Sequence, residues 1–183
     1  YAPPQEKLIL AEAEKVAAYF DVPPILSDNA TGSVLREQGQ SARLLHLSCH
    51  GAFDEEDPLS SGIALADGKF SARDWLQLGL QADLVTLSAC QTGISKLRPG
   101  DDLVGLMRAV LFAGASSLLT SLWSVDVRST HDWMLKFYEN IWSDGRQKIA
   151  NKVDAFKQAT LELQNEYEDP YFWAPFILVG NFQ

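Results

Sequence analysis

The chain has 183 residues, 46% of them apolar and 21% charged, which is enough for one sizeable core and ordinary for a globular protein. Lys and Arg number 15 against 24 acids, for a net charge of −9, and the basic residues never cluster, which argues against a nucleic-acid-binding face. No apolar run approaches the ~20 residues that cross a bilayer, and two cysteines make no disulfide framework, so a reducing, cytoplasmic setting is expected.

The opening "YAPPQEKLIL" lacks the basic-apolar-small pattern of a signal peptide. The chain begins on Tyr1 and enters a helical pattern almost at once, so it reads as one domain, residues 1–183, of a longer multidomain protein. Residues Lys7 to Phe20 place apolar side chains at helical spacing, and Pro23-Pro24 stops that helix. "PILSD", from Pro24 to Asp28, is a short strand candidate, and Thr31 or Ser33 can cap a brief helix through Gln38. "NAT" at Asn29–Thr31 matches a glycosylation sequon, a pattern too common by chance to carry weight.

"RLLHLSC", Arg43 to Cys49, reads as a buried strand ending at His50-Gly51. Asp67-Gly68 between two short apolar runs predicts a hairpin, and Ser71 with Asp74 forms a capping box for a helix through Leu78. "ADLVTLSA" is the next strand, followed by a loop from Gln91 to Asp101 and a helix from about Asp102 to Phe112, stopped by Gly114. "ASSLLTSLW" is a third buried strand, and Asp126 caps a helix reaching about Trp142. A turn at Ser143-Asp144-Gly145, a helix from Gln147 to about Glu166 and a last strand in "WAPFILVGNF" close the chain. Strands alternating with helices, plus one hairpin insert, predict an α/β fold: a mostly parallel sheet with helices on both faces.

In such a sheet, ligands bind beyond the carboxyl ends of the strands. Two strands end on reactive side chains, one on Cys49-His50-Gly51 and the other on Cys90. Were they neighbours, an imidazole and a thiol would meet at one edge, the minimum for nucleophilic catalysis. Gly51 lets its N–H approach a carbonyl closely, and with the N–H of Cys90 it could form an oxyanion hole. Spacing alone leaves open that Cys90 is an inert buried cysteine and that His50 merely ends a strand. A metal reading of His46, Cys49 and His50 fails on alternation, which puts His46 and Cys49 on opposite faces of a strand. Cys49 is then a core residue beside the dyad, His46 lies in or near the core, and His131, early in a helix, reads as a surface residue. Trp133, Phe137, Tyr138 and Trp142 recur at helical spacing and read as packing. "DEEDP" after Phe53 reads as a solvated loop. No phosphate-binding loop, zinc-protease helix or serine-hydrolase elbow is present.

"LLHLSCHGAFDEEDPLSSGIALADG" followed by "ADLVTLSACQTG" resembles the CHAT domain, the caspase-like module found behind tetratricopeptide repeats. The similarity continues through "RPGDDLVGLMRAVLFAGASSLLTSLWSVD" and "FYENIW" to "YFWAPFILVGNF". The resemblance implies a caspase-like three-layer α/β/α sandwich and cysteine endopeptidase chemistry without a cofactor or metal. The family's His lies in an H-G pair and its Cys in an S-A-C-x-T-G block. Carried over, His50 is the base, Cys90 the nucleophile, and the N–H groups of Gly51 and Cys90 the oxyanion hole.

For the residue before the scissile bond, the resemblance points to Ser88, Trp123, Ser124 and Asp126. Caspases carry Gln where Ser88 stands, and separases follow L-W with the Asp that receives an arginine, where this chain has Ser124 and then Asp126 two residues on. Neither preference transfers. The implied partners are a protein substrate and a repeat-containing region of the same or another protein, with neither nucleic acid nor membrane. Relatives in this group are often held inactive until loops such as Gln91–Asp101 rearrange. The other reading is a catalytically silent docking module in a signalling or defence assembly; the retention of His50, Gly51 and Cys90 favours the enzyme.

Overall fold

A computed structural model describes residues 4–52, 54, 56–90, 101–123, 126–142 and 151–181 of the chain. Helix α1 spans Pro4–Tyr19 and α2 Gly32–Gly39, with the Thr31 side chain accepting the Val34 N–H at the start of α2. Strand β1 (Leu44–Ala52) leads into the hairpin β2 (Gly62–Leu65) and β3 (Gly68–Ser71), which turns at Ala66-Asp67. Asp67 sends its carboxylate to the Gly32 N–H at 2.8 Å, tying the hairpin to α2. Ser71 and Asp74 form the predicted capping box on α3 (Ala72–Trp75). Strand β4 (Leu84–Cys90), α4 (Asp101–Phe112), β5 (Ser117–Ser121), α5 (Val127–Trp142), α6 (Lys152–Glu166) and β6 (Phe176–Gly180) complete the order.

The six strands form one sheet in the order β3-β2-β1-β4-β5-β6. Strands β1, β4 and β5 are parallel, while the β2–β3 hairpin on one side and β6 on the other run antiparallel. This is a mixed sheet with a parallel centre, sandwiched between helices. On one face Trp75 of α3 and Leu106 and Val110 of α4 pack on Val85 and Leu87. On the other, Trp133, Met134, Phe137 and Tyr138 of α5 pack with Val16 of α1 and Ala159 and Leu163 of α6 on Leu84, Leu119 and Phe176. Trp133 stacks on Phe176 with ring centroids 4.3 Å apart. Among the described residues no helix is long and apolar enough to cross a membrane.

Several elements differ from their sequence signals for identifiable reasons. "PILSD" is no strand: Pro23 and Pro24 have no N–H to donate, Ile25 is exposed, and Ser27 at φ 50° opens a 3-10 turn over Ser27–Asn29. Helix α3 is a single turn; Gly79, at φ 64°, ends that segment. Gly114 stops α4 at φ 112°, where an added Cβ would lie 2.1 Å from the Leu80 carbonyl oxygen. Helix α6 begins at Lys152, with Asn151 accepting the Val153 and Asp154 N–H groups. The expected loop at 91–100, the turn at 143–145 and the helix start at 147–150 lie outside the described residues.

His131 is not a surface residue. It is 8% exposed, because it falls on the inward stripe of α5 with Val127, Thr130 and Met134, and its Nδ1 lies 3.0 Å from Asp132 Oδ1.

Candidate functional site

Parallel pairing between β1 and β4 runs from Leu44↔Leu84 to His50↔Cys90. The two strands rise together, so residues that share a register position are one strand spacing apart, about 4.8 Å. His50 is half-buried at the end of this ladder, and Gly51, next along β1, pairs with Ile63 of β2. The chain leaves β1 toward the β2–β3 side and leaves β4 toward β5 on the other. The edge between β1 and β4 is therefore the point where connections diverge, the crevice in which open α/β sheets bind ligands. Beside it, Trp123 follows β5, and its indole Nε1 donates to the Tyr171 carbonyl oxygen at 3.4 Å. Asp126 is exposed, and its Oδ1 accepts the N–H groups of Arg128 and Ser129 at the start of α5. Ser124 lies outside the described residues.

Strand alternation sorts the rest. Leu45, Leu47 and Cys49 turn to the α4 side with Val85 and Leu87, so Cys49 packs against the core. His46 and Ser48 turn to the α5 side, where Thr86 and Ser88 are their register partners. This second face carries a buried polar stripe, centred on a residue that the sequence reading passed over.

Glu12 of α1 is 3% exposed. Its Oε1 lies 3.0 Å from His46 Nε2 and accepts a hydrogen bond from the Ser48 hydroxyl; Ser88 bonds to the same carboxylate. His46 Nδ1 lies 3.1 Å from the Tyr138 hydroxyl, which donates to Thr86 Oγ1 at 2.7 Å. Burial pushes the Glu12 carboxyl up, but the hydrogen bond and attraction of His46, with the bonds from Ser48 and Ser88, outweigh it and hold the group below its ordinary range. Glu12 is thus an ionised, acceptor-only group; His46 Nε2 faces both its oxygen and, at 2.9 Å, the Ser48 oxygen, whose own hydrogen is committed to Glu12, so that ring nitrogen carries a hydrogen. Burial pushes the Tyr138 phenol up, so it remains a donor. The signal for Glu12 was present in the sequence: Leu8, Glu12, Val16 and Phe20 recur every four residues, an acid on an otherwise apolar stripe.

Ser88 is 5% exposed, which places its hydroxyl in this network, one pleat below Cys90. A cavity of about 1000 Å3 lies instead between the end of α1, α2 and the first half of β1, mostly apolar and away from His50. Among the described residues no group of three or more His, Cys, Asp or Glu side chains is arranged to hold a metal ion.

The model of the CHAT domain family matches residues 2–181. Tetratricopeptide repeat protein 28 of Homo sapiens is 31% identical over 132 residues, covering 69% of this chain and 5% of that protein. Its counterpart in Mus musculus is 33% identical over 111 residues, covering 61% of this chain and 4% of that protein. The chain thus matches only a small part of the length of these curated relatives.

Proposed function

The chain belongs to the CHAT domain family, a caspase-like, peptidase-related group, and on that footing we propose that it is a cysteine endopeptidase module with Cys90 as nucleophile and His50 as base. The observation that carries this reading is the pairing of His50 with Cys90 at the carboxyl edge of the parallel strands, where the connections diverge. In the proposed cycle the Cys90 thiolate attacks the scissile carbonyl carbon, forming a C–S bond, while the oxyanion accepts from the N–H groups of Gly51 and Cys90. Collapse breaks the C–N bond, and the His50 imidazolium gives its proton to the departing amine. His50 then takes a proton from water, whose oxygen attacks the thioester and returns the thiol. Thiol, imidazole and water supply every bond change, so the reading calls for neither metal nor cofactor.

Ser88, Trp123, Ser124 and Asp126 border the residue before the scissile bond in this reading, Ser88 from the pocket floor. The chain acts as one domain of a longer cytoplasmic protein, on a protein substrate and under the control of a repeat-containing region; the match to tetratricopeptide repeat proteins supports that pairing. The test is a peptide-library cleavage profile of the full-length protein. Cys90→Ala and His50→Ala are each expected to abolish cleavage, a loss of at least about 10³-fold, with the thermal unfolding transition unchanged. Cleavage by Cys90→Ala at the wild-type rate would overturn the assignment. The docking reading draws support from relatives named only for their repeats. It would prevail if wild type and the double variant gave the same biological output and neither cleaved any peptide.

A further inference from the structure

Glu12 is the group that the cleavage cycle leaves unused. Burying an ionised carboxylate costs several kcal/mol unless it is fully bonded. On a stripe that otherwise carries Leu8, Val16 and Phe20, an apolar residue would serve packing better. The bonds of Glu12 go to two strands at once. Ser48 of β1 and Ser88 of β4 are register partners, and both bond to the one carboxylate. The next step on that face of the ladder is His50 opposite Cys90, two residues on, or about 6.6 Å. Glu12 therefore bridges β1 and β4 at the pleat below the dyad. His46, itself held by Glu12 and Tyr138, secures the pleat below that.

We propose that Glu12 is a positioning residue of the dyad: by accepting from Ser48 and Ser88 it clamps the carboxyl ends of β1 and β4 in the alignment that holds the His50 imidazole beside the Cys90 thiol. This rests on the dyad reading above. A parallel ladder fixes register but leaves its last pair free to splay, and proton exchange between thiol and imidazole is sensitive to fractions of an ångström. A carboxylate shared by both strands one pleat earlier removes that freedom. The titratable groups that interact with Glu12 are His46 on β1 and Tyr138 on α5, while Glu14 and Lys15 on α1 itself are exposed.

The test needs no substrate. Iodoacetamide alkylation of the full-length protein is followed against pH, with Cys90 resolved from Cys49 by peptide mass, in wild type, His50→Ala, Glu12→Gln, Ser88→Ala and Val16→Ala. Wild-type Cys90 is expected to react with a midpoint below the ordinary thiol value of about 8.5, and His50→Ala to return it there. Glu12→Gln and Ser88→Ala are expected to shift the midpoint the same way, with about tenfold slower alkylation near neutral pH. Val16→Ala removes packing one turn along the same helix and should leave the profile in place.

A wild-type profile in Glu12→Gln, alongside a shifted His50→Ala, overturns the positioning role and leaves the dyad standing. A Val16→Ala profile shifted as far as that of Glu12→Gln overturns it too, by reducing the effect to loss of structure. Should Glu12→Gln fail to fold, Ser88→Ala decides, and an unmoved profile overturns the proposal. Wild-type and His50→Ala profiles that coincide sink the dyad itself.

Discussion

The two faces of the β1–β4 ribbon share one backbone and are both covered by helices, yet they carry opposite chemistry. Toward α3 and α4 stand Leu45, Leu47, Cys49, Val85 and Leu87, a continuous apolar surface against Trp75, Leu106 and Val110. Toward α1 and α5, successive rungs are His46 with Thr86 and Ser48 with Ser88, answered by Glu12 and Tyr138. The first face is what a sheet needs in order to fold. The second spends desolvation at every rung and is tolerated because its polar groups bond to one another. The contrast separates stability from chemistry: damage to the apolar face should cost folding energy, while damage to the polar stripe should also disturb the edge where His50 meets Cys90.

The comparison breaks most severely at Glu12. Glu12→Ala removes the acceptor shared by His46, Ser48 and Ser88 and leaves them facing a void, for an expected loss of about 3–5 kcal/mol in a urea titration. The loss should depend on pH. Because the folded protein holds the Glu12 carboxyl below its ordinary value, its stabilisation is complete above the unfolded-state pKa and disappears as pH falls through the folded one. The unfolding free energies of wild type and Glu12→Ala should therefore converge toward acid. A gap that stayed constant down to the lowest pH at which the protein remains folded would mean that Glu12 is buried uncharged.

On the opposite face, Leu87→Ala is the matching experiment. Leu87 is 2% exposed at the centre of the α4-side core, so its truncation should cost about 2–5 kcal/mol. The pH profile of Cys90 alkylation should not move. A shifted profile would show that the two faces are mechanically coupled and would blur the separation drawn above.

Much of the fold was legible in the sequence, and the part that was not has a physical explanation. Hydrophobic runs placed β1, β4 and β5, and local side-chain chemistry placed the Thr31 and Asp126 caps and the Ser71–Asp74 box, because each signal is contained within a few residues. The turn at Asp67-Gly68 was equally local. Pairing was not: His50 and Cys90 could be suspected at strand ends, but only the register brings them to the same rung. The partners of Glu12 were hidden for the same reason, although its place on an apolar stripe was not: they lie 34 and 36 residues away on β1 and farther still on β4 and α5. The antiparallel edges also depend on long-range closure, as in the pairing of β6 with β5. His131 misled because position in a helix's first turns says little about which stripe faces inward.

Tyr138 offers the finest cut, because one atom there separates the two contributions. Its ring is fully buried and packs edge-on to Phe20, Phe137 and His46, as an apolar residue would. Its hydroxyl belongs to the polar stripe, between His46 Nδ1 and Thr86 Oγ1. Tyr138→Phe keeps the ring and deletes the hydroxyl, leaving the imidazole nitrogen and the threonine hydroxyl without that partner, at an expected cost of about 1–3 kcal/mol in the same urea titration. Two pleats below Cys90, the change should reach the thiol only through His46 and Glu12, so the alkylation midpoint should move less than in Glu12→Gln. An effect as large as that of Glu12→Gln would place the clamp in the whole stripe rather than in its carboxylate. A stability loss below about 0.5 kcal/mol would mean that the stripe relaxes around a missing member, and that its bonds are less tightly shared than their geometry implies.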